Sequence, residues 1–260
     1  MIKLFVICSI QFFLLINNLS AQTGYELAKK LDNKDKPQNM TSRISMTLTN
    51  AKNKSRKNVM ISKTANQSQK QMIWVLEPKS DRGMSFLKIE REDRKTEIRI
   101  WLPAFNKIRR INANRRSNSF MGSDLSYEDM MSRTIDDNTY LRLKDDQIGE
   151  EECYVLEVIP KKGITTSYSK HRTWVSKENF QIVQETSFDK KRKLKKIKKF
   201  HYAYVNDYEI ISKIYVEDLQ KKHKTDIYFD QVKVDTKMDE KIFQEKSLKR
   251  LPLNKKLTLF

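Results

Sequence analysis

The sequence points to a mainly β protein folded as an antiparallel barrel or sandwich, and three observations carry that expectation. About a dozen short runs alternate apolar and polar residues, turn-forming residues separate them at short intervals, and little helical periodicity lies between them. Periodicity alone leaves barrel and sandwich both open.

In chain order, Tyr25, Leu27, Ala28 and Leu31 sit at helical spacing and predict a short amphipathic helix ahead of the polar stretch 32–37. Met40, Ser42, Ile44, Met46 and Leu48 then alternate with Thr41, Arg43, Ser45 and Thr47, the pattern of a sheet with one apolar and one polar face. Similar runs at 59–61, 72–76, 84–89, 98–102 and 107–111 extend the meander. Pro103 lacks a backbone donor and ends its strand. Gly122 permits a sharp turn, and Ser126 with Asp129 three residues later suggests a capping box opening a short helix over 126–133. An acidic connector follows, containing Asp136-Asp137 and Asp145-Asp146. Strand patterns resume at 153–159, 172–176, 182–188, 194–205, 209–217 and 225–234, with turns marked by Lys161-Lys162-Gly163, Lys177-Glu178-Asn179 and Asn206-Asp207. Met40, Met46, Met60, Met72, Met84 and Met121 occupy expected core positions, where a flexible thioether adapts to irregular or changing neighbours.

The first residues read as a secretory signal. Lys3 precedes an apolar run from Leu4 to Ile16, which is short for a membrane span, and Leu19-Ser20-Ala21 supplies small residues at a cleavage point. The expected division is a signal at residues 1–21 and one domain over residues 22–260. Cys8 lies inside the apolar run without the small residues of a lipobox, so acylation there is not expected. Cys153 is the one cysteine left after cleavage, which excludes an intramolecular disulfide.

Lys and Arg number 52 against 33 Asp and Glu, a formal charge of +19. Such a field attracts polyanions, and export argues against nucleic acid. An anionic membrane surface or an acidic partner remains. Within the basic run 190–199, Lys193, Lys195, Lys196 and Lys198 are expected to meet it. Catalytic signals are missing: His171, His201 and His223 are scattered outside any metal-ligand spacing, and no nucleophile elbow, phosphate loop or dinucleotide loop occurs. The chain is therefore expected to bind rather than catalyse, without cofactor or metal.

The most specific stretch is 101–129. Trp101-Leu102-Pro103, the pair Arg109-Arg110, Phe120-Met121-Gly122-Ser123-Asp124 and Tyr127-Glu128-Asp129, in this order, resemble the outer membrane lipoprotein-sorting protein family, related to the lipoprotein carrier LolA. Trp174-Val175 and Lys241-Ile242-Phe243 also fit, so the likeness spans 25–251. The resemblance implies a LolA/LppX-like unclosed antiparallel β-barrel with short helices covering its concave face. It also implies residence in the periplasm of a Gram-negative bacterium and a cargo of lipoprotein or lipid acyl chains moved toward the outer membrane, with an envelope transporter as a partner by family association. Ile44, Met46, Leu48, Leu87, Ile89, Ile98 and Ile100 are then expected to face one acyl-binding interior, with Phe120 at its edge. Arg109, Arg110, Gly122, Ser123, Asp124, Tyr127, Glu128 and Asp129 are expected to brace the barrel mouth, with an arginine fork among the options for the carboxylates. The rival expectation is an interaction module of the same fold whose interior is filled by its own side chains.

Overall fold

The structure, a computed structural model, describes residues 23–91 and 96–252; the stretch read as a signal lies outside them. The chain starts with helix α1 (Gly24–Asp32). Thr23 caps it: its hydroxyl accepts from the Glu26 N–H at 3.2 Å while the Glu26 carboxylate accepts from the Thr23 N–H at 2.8 Å. A Cβ on Gly24 would stand 2.8 Å from the Tyr140 carbonyl oxygen, so only glycine lets the helix approach the sheet this closely.

Thirteen strands follow: β1 (Asn39–Thr49), β2 (Ser55–Ala65), β3 (Lys70–Glu77), β4 (Ser85–Ile89), β5 (Glu97–Leu102), β6 (Lys107–Arg110), β7 (Asn138–Ile148), β8 (Glu151–Pro160), β9 (Tyr168–Ser176), β10 (Ile182–Asp189), β11 (Leu194–Val205), β12 (Tyr208–Asp218) and β13 (His223–Val234). They form one antiparallel sheet in the order β6-β5-β4-β3-β2-β1-β13-β12-β11-β10-β9-β8-β7. The two halves of the meander join where β1 pairs with β13, and β6 and β7 are left as edges, so the barrel is unclosed.

Two expectations need correction. The connector containing Asp145-Asp146 is strand β7, whose residues are mostly exposed or half-buried because it is an edge; without a buried row it lacks the alternation that marks a strand. The helix over 126–133 is a single 3₁₀ turn, Glu128–Met130, followed by extended backbone at Met131. The helices over the concave face are thus one α-helix at one end and a chain of turns at the other.

Each face of the sheet is covered in part. Residues 236–251, with 3₁₀ turns at Glu240–Ile242 and Glu245–Lys249, lay Phe243 and Leu248 on the outer face against Ile61, Met72, Trp74, Leu87 and Trp101. Ser85 and Trp74 donate to the Leu248 and Ser247 carbonyls at 2.7 and 3.3 Å and fix that segment. On the concave face, α1 packs Leu27 on Leu156, Val158 and Val175. Cys153 is buried and in no disulfide among the described residues.

Candidate functional site: the covered concave face

Strand pairing identifies the concave row. Ile44 stands opposite Met60 and Phe229, Met46 opposite Ile227, and Phe86 opposite Ile73 and Ile100. These residues, with Leu48, Ile98 and Val216, make one apolar cluster that also receives Phe120. Six of the eight expected cargo-facing residues therefore meet: Ile44, Met46, Leu48, Ile98, Ile100 and Phe120. Leu87 and Ile89 do not. Leu87 stands opposite Met72 and Arg99, one residue out of phase with Phe86, and both side chains pack on the outer face under the C-terminal segment. Because both faces are apolar here, alternation fixed the two rows of β4 but not which one looks inward. Phe86, fully buried, is the inward residue that the sequence reading missed.

The cluster is closed by residues 111–132, a lid of turns between β6 and β7. Phe120 and Tyr127 flank Phe86 at ring-centroid distances of 5.2 and 6.2 Å, and Ile111, Leu125, Met121 and Met130 fill the space around them. The turn at Met121-Gly122 has φ of 48° and 79°, which explains the glycine. Ser123 holds the turn by donating to the Phe120 carbonyl at 2.7 Å.

Polar ties fasten the lid to the sheet. The Asp124 carboxylate accepts from the Thr225 hydroxyl at 2.6 Å and lies 2.7 Å from His223 Nδ1. Glu128 accepts from the Thr166 and Ser167 hydroxyls and, at 2.9 Å, from the Ser167 N–H. Ser132 donates from its N–H and its hydroxyl to Glu90 at 2.7 and 2.8 Å. Asp129 accepts from the Ser126 N–H at 2.8 Å, from Lys196 at 2.8 Å, from Lys198 at 3.2 Å and from the Tyr168 hydroxyl at 2.9 Å. The Ser126–Asp129 reciprocity of a capping box is present, but Glu128 and Asp129 are both bound to distant strands and loops, and the chain leaves the turn extended instead of adding a second one.

Behind Asp129 lies a buried ion network. Lys196 and Lys198 stand at alternate positions on β11 opposite Ser187 and Glu185, so they point inward, not toward a membrane; this corrects the expectation for those two lysines. Glu185 receives both guanidinium arms of Arg133 at 2.5 and 2.7 Å and the Lys198 ammonium at 2.6 Å. Burial alone would raise both carboxyls, yet Lys198 and Lys196 around Asp129, and Arg133 and Lys198 around Glu185, hold them well below the ordinary range. His171, opposite Ser187 and 2.9 Å from its hydroxyl, is pushed down to about 3 by burial and then by Arg133, so it stays neutral. Tyr168 is raised by burial and by Asp129. A cavity of about 270 Å³ adjoins the network, lined by polar groups including Arg116, Glu128, Thr134 and Thr166. Sequence reading had no way to pair Lys196 with Asp129 or Arg133 with Glu185; the visible clue was that Lys196, Lys198 and Phe200 share one parity on a strand.

The remaining motif residues serve the frame. Trp101 is buried on the outer face with the Lys249 ammonium 5.0 Å from its ring centroid. Leu102 and Pro103 lead from β5 into the 3₁₀ turn Pro103–Phe105. Arg109 and Arg110 are exposed on β6, and the carboxylates of the lid take His223, Thr225, Lys196 and Lys198 as partners, not these arginines. Among the described residues no group of three His, Cys, Asp or Glu side chains is placed to hold a metal, and no helix is long and apolar enough to cross a membrane.

A family model described as that of an uncharacterized protein matches residues 67–250. No curated protein sequence matches the chain. Among solved structures, an outer membrane lipoprotein-sorting protein domain from Vibrio parahaemolyticus is similar at 25% identity and a TM-score of 0.81, over 87% of this chain and 98% of that one. A DUF1329 family protein from Desulfovibrio piger is similar at 26% identity and 0.80, over 86% and 97%. A LolA superfamily protein from Nitrosomonas europaea shares the fold at 18% identity and 0.69, over 87% and 100%. The family model, which covers most of the chain, and the thirteen-strand unclosed sheet shared with these structures place this chain in the LolA-like family.

Proposed function

We propose that the protein is a periplasmic carrier that takes acyl chains of a lipoprotein or lipid onto its concave apolar face, moves them toward the outer membrane, and performs no chemistry. The observation that supports this reading is the construction of the lid. The apolar row of Ile44, Met46, Leu48, Phe86 and Ile98 is covered by a segment without α-helix or strand, tied down through polar anchors at Asp124, Glu128, Asp129 and Ser132. When lid and sheet part, each acyl methylene buried in the vacated row supplies about 0.8 kcal/mol toward the cost of breaking these ties. The closed form is the empty carrier, with Phe120 and Tyr127 occupying the place of cargo.

The filled interior equally favours a second reading, an interaction module of the same fold that never opens. Titration with a dansyl-labelled undecanoic acid separates the two. A carrier binds the probe, and Asp124→Ala, which loosens the lid at Thr225 and His223, strengthens binding severalfold. A closed module binds it in neither form, and the variant only loses stability.

A further inference from the structure

In an antiparallel meander, successive turns fall at opposite ends of the strands, and here the two ends differ sharply in charge. The β1–β2 turn carries Lys52 and Lys54, the β12–β13 turn Lys221 and Lys222, and the β10–β11 turn Lys190, Lys191, Arg192 and Lys193. The order β2-β1-β13-β12-β11-β10 makes these three hairpins neighbours at one end. The turns of the other end are different: residues 66–69 are uncharged, the β9–β10 turn carries Lys177 beside Glu178, and the β7–β8 and β11–β12 turns hold Glu150 and Asp207. The acids at the basic end are turned to structural use. Asp189 accepts from the N–H groups of Lys191 and Lys193 and from Gln220 Nε2, each at 2.9 Å. Asp218, fully buried, accepts from the N–H groups of Gln220 and Lys221 at 3.1 and 3.0 Å. Gln220 thereby braces two of the hairpins together.

Charge alone describes a solvated surface, but this end also carries apolar tips. Phe105 in the β5–β6 turn is 71% exposed, Leu194 38%, Leu219 37%, and Ile164 in the β8–β9 loop 37%. Phe105 and Ile164 stand on outlying turns, while Leu194 at the start of β11 lies beside Leu219 of the neighbouring hairpin, so the tips form small separate groups instead of the contiguous apolar centre of a protein interface. Lysines among separated apolar tips match a surface whose anionic headgroups meet the charge and whose interfacial region accepts single side chains.

We propose that this end of the sheet docks on an anionic phospholipid bilayer. Docking is independent of the acyl-carrier reading, because it is read with intact vesicles and engages residues outside the concave face. The test is cosedimentation of the full chain with vesicles of phosphatidylcholine containing one quarter phosphatidylglycerol, and with phosphatidylcholine alone. Binding is expected to the anionic vesicles and to weaken with salt, since exposed charges are screened over about 8 Å at physiological ionic strength. The triple variant Lys191→Glu, Arg192→Glu, Lys193→Glu is expected to bind about a hundredfold more weakly. Leu194→Ser with Leu219→Ser is expected to lose about tenfold while keeping the salt dependence. Lys233→Glu with Lys237→Glu, an equal kind of change away from the basic end, is expected to stay within about twofold. Thermal melts of each variant confirm that the fold is retained. Equal binding to both vesicle types, a triple variant that binds like the wild type, or no vesicle binding, with or without retention of soluble polyglutamate in its place, overturns the proposal.

Discussion

Asp129 illustrates how a residue legible as a cap acquires a larger role. Its cap partner, Ser126, lies three residues away and is visible in the sequence; its ionic partners lie 67 and 69 residues away on β11. Asp129→Ala removes the counter-charge from buried Lys196 and part of that of Lys198, and is expected to cost about 3–5 kcal/mol in urea unfolding, the usual cost of breaking a buried pair. His171 gives a pH signature. Its ordinary value is near 6.5 and its folded value is about 3, so between these values the unfolded chain binds a proton that the folded chain refuses. Stability is therefore full above pH 6.5 and falls on acidification, by about 1.4 kcal/mol per pH unit from this group alone. Asp129 and Glu185 act in the same direction at lower pH: with depressed folded values, their stabilisation is present above the unfolded carboxylate range near 4 and is lost as pH falls below it. Urea unfolding at pH 7, 6 and 5 isolates the histidine, and His171→Gln is expected to flatten the slope in that window. An unchanged slope would show that another group sets it.

At the scale of elements, the strands were legible wherever one of their rows is buried. The alternation of β1 reads directly from Met40 to Leu48, and its register against β2 and β13 keeps Ile44 and Met46 inside. Strand β7 was not legible, because an edge strand with polar flanks buries too little to impose a period. The inward row of β4 was ambiguous for the opposite reason, since Phe86 and Leu87 are both buried, on opposite faces. The lid was legible as a turn but not as a cover, because its hold on the sheet rests on pairs such as Asp124 with Thr225, 101 residues apart. Tied to the sheet beyond Ile111 by side chains instead of a hydrogen-bonded ladder, the lid is expected to open before the sheet: in native-state hydrogen exchange the amides of 112–132 should exchange ahead of those in β1, β2 and β13. Arg109 and Arg110 find their reason at this scale too. On the four-residue edge strand β6 they discourage pairing with another chain, and Arg109→Val with Arg110→Val is expected to raise light scattering at high concentration without lowering the melting temperature.

At the scale of the whole molecule, one sheet is used three ways. Its outer face is covered over β2 to β5 by residues 236–251, its concave face is covered by α1 at one end and the lid at the other with the ion network between, and one set of turns is basic with apolar tips. The family resemblance in 101–129 pointed to the unclosed sheet; the network and the two charged ends depend on pairings that no local pattern reveals. The central claim is that the lid stands where cargo goes, and hydrogen exchange with and without a synthetic diacylated lipopeptide tests it most directly. The expected result is faster exchange at Phe120, Ser123 and Tyr127 on saturation with the lipopeptide, while β1, β2 and β13 stay protected. A lipopeptide that fails to bind, or that binds and leaves lid exchange unchanged, would contradict the account.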